Sequence, residues 1–232
     1  MGMWRHRVDT PTKLEYFGQE FDIPADVHLR LDEEDDSMPF PVVAFVECGL
    51  RLPLDILFRV HYYKLNPMQL AINSYRVING IIALAKKEKA SVTLADIQYC
   101  YTMCSLKLEK GYIYYLKPRS TEFKIVATLP DSNKRAGDDY LIVSGNWEFA
   151  PDEDLHLYPL SRTVFVEGNG KNQVSHRFIF QGIKTLLFLY VLMSVFFRAA
   201  LPQPSKDFRK SFFPSKDLKK LLDLPVHRRR AP

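Results

Sequence analysis

Cysteine is scarce in this chain: Cys48, Cys100 and Cys104 are the only three in 232 residues. Three thiols at those spacings make no disulfide framework. With no secretory signal pattern at the amino end, they set the expectation of a reducing compartment, cytoplasmic or nuclear. Histidine is equally thin, and the six residues at 6, 28, 61, 156, 176 and 227 are too scattered to propose a Ser, His and Asp constellation from spacing. Cys100 and Cys104 lie four apart on what reads as a helix, yet no nearby His or second Cys pair completes a tetrahedral zinc site. Buried apolar cysteine is the simpler reading. The sequence also lacks the Asp-Thr-Gly loop of an aspartic protease, a phosphate-cradling glycine loop and a zinc knuckle. No cofactor, metal site or small-molecule substrate is therefore assigned, and a non-enzyme is expected.

Most of the chain also lacks an excess of one charge. The formal total is +5, but ten Lys or Arg against three Asp fall between Arg198 and Pro232, a balance of +7 that leaves about −2 for residues 1 to 197. The basic end reads as a flexible tail, with phosphates or anionic lipid headgroups as alternative partners. Asp32-Glu33-Glu34-Asp35-Asp36 is an acidic run without alternating ligand spacing or a turn glycine, so it reads as a solvated linker rather than a calcium loop.

What is present is apolar periodicity that changes halfway. Residues 1 to 39 are polar and mixed and read as a loosely ordered leader. From Pro53, PLDILFRVHYYK places Leu54, Leu57, Phe58 and Tyr62 at helical spacing behind a proline start. A second helix is predicted from Pro67, with Leu70, Ile78, Ile81, Ile82 and Ala85 as its apolar stripe and lysines in its last turn. A third is predicted in SVTLADIQYCYTMCSL, where Thr93 and Asp96 form a capping box ahead of Ile97, Tyr101 and Cys104. After Gly111 the segments GYIYYLKPR, EFKIVATL and DYLIVSGNWEF read as strands. In the last of these, Ser132 to Asp139 is the connection in, and Gly145-Asn146 is a turn presenting Trp147 to the core. The fold class is α+β: about three helices in the first half, packed on a small, mostly antiparallel sheet over residues 40 to 165. A C-terminal apolar helix (176 to 201) and a basic tail (202 to 232) follow, the tail with a short helix near Leu218 to Leu222.

Four ordered blocks carry a family resemblance: CGLRLPLDILFRV (48 to 60), LNPMQLAINSYRVING (65 to 80), GYIYYLKPR (111 to 119) and SNKRAGDDYLIVSGNW (132 to 147). They resemble the plant retroelement domain named the gypsy-type transposase domain, or plant transposon protein domain. That family pairs a Gly-Leu-Arg-Leu-Pro-Leu opening with a Pro-x-Gln-Leu helix containing an aromatic-Arg pair, and it closes on a Ser-x-Lys segment leading to a Trp. This chain departs in having Tyr75 where Trp is usual and Ala136-Gly137 where an aromatic follows the basic turn. The resemblance implies a gag-like or accessory part of a plant gypsy-class retrotransposon, with no established catalysis despite the name and with self-association or a protein partner as its role. Asp138-Asp139 beside Tyr140 is not in the order of a polymerase metal motif and reads as a hydrogen-bonding turn.

Two alternatives stay open. Lys134 and Arg135 on a loop, with Lys117, Arg119 and Lys124 on neighbouring strands and tyrosines at 112, 114 and 115, make a basic surface with aromatic platforms for RNA or DNA. Residues 178 to 197 hold one charge, Lys184, and are long enough to span a bilayer once. Their apolar body is Leu186-Leu187-Phe188-Leu189, Val191-Leu192 and Val195-Phe196-Phe197, which makes a single-pass membrane association the second alternative.

Overall fold

The computed structural model of the chain describes residues 4–31, 40–58, 67–108, 111–130, 139–148, 165–168, 171–174 and 213–229. Its first helix, α1 (Pro11–Glu20), opens inside the stretch that composition marks as a leader. Thr10 accepts the Lys13 N–H through its hydroxyl oxygen, and Pro11 sits at the first helical position, where a missing N–H is not needed. The helix buries Phe17, whose ring lies 4.4 Å from Phe21 and 5.6 Å from Phe45 between centroids. After it, β1 (Val27–Leu31) joins the central sheet. Residues 4–31 are thus core and not a loose leader; two buried phenylalanines and a paired strand offset an otherwise polar composition.

The sheet has the order β1-β5-β2, with β5 (Tyr140–Gly145) in the middle and β2 (Phe40–Pro41) on its far edge, both neighbours antiparallel to it. Leu141 and Val143 of β5 are buried, and Trp147 follows onto the core with its ring 5.3 Å from Phe40, as the turn at Gly145-Asn146 predicts. Gly145 adopts φ 88, and a Cβ there would lie 2.0 Å from the carbonyl oxygen of Asp26, so only glycine lets the strand end this close to the start of β1. Helix α2 (Val42–Val46) leaves β2 directly, with Val42, Val43, Ala44 and Phe45 all buried.

The helix expected from Pro53 is reduced to one 3-10 turn at Ile56–Phe58 among the described residues. The reason is local competition. The Asp55 carboxylate accepts the Leu57 N–H at 2.9 Å, and the Leu54 N–H is spent across the fold on the Trp147 carbonyl at 3.2 Å. The next helix also starts later than Pro67. Pro67–Gln69 is a 3-10 turn, Leu70 bridges Tyr114, and the Ala71 N–H donates to the Tyr114 carbonyl at 2.7 Å. Only beyond that bridge does α3 (Ile72–Glu88) begin. It is the central helix, burying Tyr75, Ile78 and Ile81 completely, and it stops at Lys89 in the left-handed region.

Thr93 and Asp96 form the expected capping box of α4 (Leu94–Cys100), with Thr93 N–H to Asp96 carboxylate at 2.8 Å. The helix does not continue through Cys104. From Tyr101 the chain becomes β3 (Tyr101–Leu108), paired over its whole length with β4 (Gly111–Pro118). Alternation Tyr101, Met103 on β3 against Leu116, Tyr114 on β4 buries one face of this hairpin, and that long-range pairing overrides the helical spacing. Cys100 and Cys104 therefore sit on different elements. The strand expected at 122 to 129 is absent as well, its N–H groups being taken from elsewhere. The Tyr101 hydroxyl oxygen accepts from Ile125 and Val126 at 3.1 and 3.4 Å, and the Arg229 carbonyl accepts from Ala127 at 2.6 Å. A short hairpin, β6 (Phe165–Gly168) with β7 (Lys171–Val174), follows.

The last described segment is no free tail. Helix α5 (Lys216–Leu222), capped by the Ser215 hydroxyl, buries Leu218 and Leu221 completely against the core. Polar contacts pin it at both ends. Ser91 N–H donates to Asp217 at 2.8 Å, Arg228 pairs with Glu88 at 2.6 Å, and Arg229 Nη1 donates to the Lys124 carbonyl at 2.8 Å. The short helix read near Leu218 to Leu222 is present, but part of the positive charge beside it is spent on the fold. Among the described residues no helix is long and apolar enough to cross a membrane, and residues 178 to 197, with the candidate span, lie outside them.

Candidate functional site

A cleft of about 630 Å³ opens between α3 and the segment from Val46 to Phe58. Helical spacing builds one wall: Arg76, Asn79, Ala83 and Lys86 recur every three or four residues along one side of α3. Val46, Pro53 and Phe58 make the opposite wall apolar. The Phe58 ring packs 5.8 Å from that of Tyr75, which buries itself beneath the helix and donates its hydroxyl to the Pro67 carbonyl at 2.7 Å.

Polar side chains hold the walls together. Arg76, with 9% of its side chain exposed, donates to Glu47 at 2.6 Å and to Asn73 at 3.0 Å. Glu47 also accepts from the Trp4 indole at 3.3 Å. Asn79 donates to the Cys48 carbonyl, which ties the helix to the start of the glycine-leucine segment. Arg51 donates to the Leu50 carbonyl at 2.9 Å and stands 5.0 Å from the centroid of the Phe21 ring. Burial pushes the Cys48 thiol up to about 12, the nearby Arg76 only partly opposing it. The Cys100 thiol is raised to about 12 by burial, with Asp96 adding to the effect. Among the described residues no group of three or more His, Cys, Asp or Glu side chains is arranged to hold a metal ion.

The basic residues singled out from the sequence fare differently from one another. Lys117 is exposed on β4, whereas Arg119 donates through Nε to the Gln98 carbonyl at 3.2 Å and is half-buried. Lys124 is half-buried under Arg229. Tyr114 is 5% exposed, which removes it as a stacking platform. Lys134 and Arg135 lie outside the described residues, but the strand they lead into is placed. Leu31 and Phe40 both pair with Leu141, two residues beyond Asp139. The connection carrying Asp32 to Asp36 is therefore anchored about 5 Å to either side of the strand that the basic turn enters. The turn itself, Asp131 to Asp139, holds two cations against three aspartates in the sequence. Asp139 serves as a hydrogen-bonding residue, its carboxylate accepting the Trp4 N–H at 2.7 Å and its carbonyl the Val42 N–H at 3.0 Å.

The cleft residues Glu47, Arg51, Arg76, Asn79 and Lys86 were not legible as a site. Arg51, Arg76 and Asn79 lie inside the family-like blocks, but nothing in the spacing says that two blocks 25 residues apart face each other across a cleft. Comparison of the chain with protein-family models, with curated proteins and with solved structures finds no match.

Proposed function

We propose that the chain is a non-enzymatic, plant retroelement-derived module of the gag-like or accessory kind, working by protein interaction and self-association through the cleft between α3 and residues 46–58. The observation that carries this reading is the convergence of the family-like blocks. Leu54 of the first is hydrogen-bonded to Trp147 of the fourth at 3.2 Å. Ser74 of the second accepts the Leu116 N–H of the third at 3.0 Å. The first two blocks then line the cleft together. A recess whose lining mixes apolar and charged side chains suits a protein segment.

The experiment is light scattering of the full chain over a concentration series, with Ala83→Gln as the comparison. Ala83 is exposed within the cleft, so a longer polar side chain there obstructs the recess without disturbing the core. Association by the wild type that weakens in the variant supports the reading; a chain that stays monomeric throughout, or associates equally well with the cleft obstructed, counts against it.

A further inference from the structure

The charges of the cleft are not equally available. Arg51, Arg76 and Lys86 face Glu47 and Asp55, a balance of +1. Both carboxylates are already engaged: Glu47 holds Arg76 and the Trp4 indole, and Asp55 holds the Leu57 N–H. Arg76 is engaged in return. The remaining cations are Arg51, which gives one donor to a carbonyl and has no carboxylate partner among the described residues, and Lys86, which is exposed and has no ion-pair partner among them. The lining of the same cleft includes the apolar Phe58, Ile82 and Ala83. The recess therefore selects a segment with carboxylates that also carries apolar groups.

Resting on the assembly reading above, we infer that the cleft receives an acidic segment from a second copy of this chain, namely Asp32-Glu33-Glu34-Asp35-Asp36-Ser37-Met38. This is the one run of five consecutive carboxylates in the sequence, and it ends on a methionine suited to an apolar floor. A symmetric pair, each copy giving its run to the other's cleft, forms both contacts at once and closes as a dimer.

Charge reversal of the full chain tests this. One variant carries Arg51→Glu with Lys86→Glu; another carries Lys at each of positions 32 to 36. Light scattering at low salt is expected to find a wild-type dimer that dissociates as salt is raised. Either variant alone is expected to associate at least about tenfold more weakly, while their mixture regains association because both contacts are then complementary. The neutral pair Arg51→Gln with Lys86→Gln, checked for an unchanged thermal melt, guards against misfolding, and a labelled peptide of residues 32 to 38 is expected to bind wild type but not this pair. Wild type that is monomeric at every salt, or reversed variants that associate undiminished, overturns the inference. If association withstands charge reversal but fails with Ala83→Gln, the acidic occupant falls while the cleft remains the interface. A peptide that binds a monomeric chain removes the second copy as its source.

Discussion

Arg76 and Glu47 face each other at 2.6 Å with unequal exposure, 9% of the arginine side chain against 32% of the glutamate. The asymmetry sets the sign of a double-mutant comparison. Glu47→Ala strands a guanidinium in the cleft wall and is expected to cost roughly 2–4 kcal/mol. Arg76→Met leaves a carboxylate that water and the Trp4 indole still solvate and is expected to cost less. Urea unfolding of the double variant is expected to give clearly less than the sum of the two.

Gly145→Ala is expected to cost at least about 2 kcal/mol, since the new Cβ meets backbone rather than a movable side chain. Thermal unfolding measures it. Gly18→Ala, on α1 with open space around the added methyl, serves as the control and is expected to be neutral or slightly stabilising.

Alkaline pH is expected to unfold the protein through its buried thiols. Cys48 and Cys100 are each raised from an ordinary 9.0 to about 12, so the unfolded chain loses these protons first. Their contribution is complete below pH 9 and is lost as pH rises towards 12. Denaturant midpoints measured from pH 7 to 11 are expected to hold and then fall, and Cys100→Ala is expected to flatten the fall.

Leu221→Ala is expected to destabilise by about 2–4 kcal/mol, because that side chain is fully buried. Phe213→Ala, 86% exposed, is expected to change nothing measurable. Equal melting temperatures for the two would contradict the packing of α5 on α3.

Sequence legibility followed the reach of the interactions. The Thr93 and Asp96 capping box, the strand GYIYYLKP and the strand YLIVSG are specified within a few residues and were readable. Helix α1 had its Thr10-Pro11 start signal, yet the helix buries so little that composition hid it. The change from α4 to β3 at Tyr101 is decided by pairing with residues up to Pro118, and the bent course of 122 to 129 by a tyrosine hydroxyl and the Arg229 carbonyl. The cleft was least legible of all, because its two walls meet only after α3 has docked.

Leu218 and Leu221 also decide how the chain can be threaded. A span of about 20 residues crosses a bilayer about 30 Å thick once and not twice. One crossing between Val174 and Phe213 would carry these leucines to the face opposite α3, Ser91 and Glu88, the groups that grip their helix. The docking of α5 on α3 and a single crossing between Val174 and Phe213 are therefore mutually exclusive within one copy of the chain.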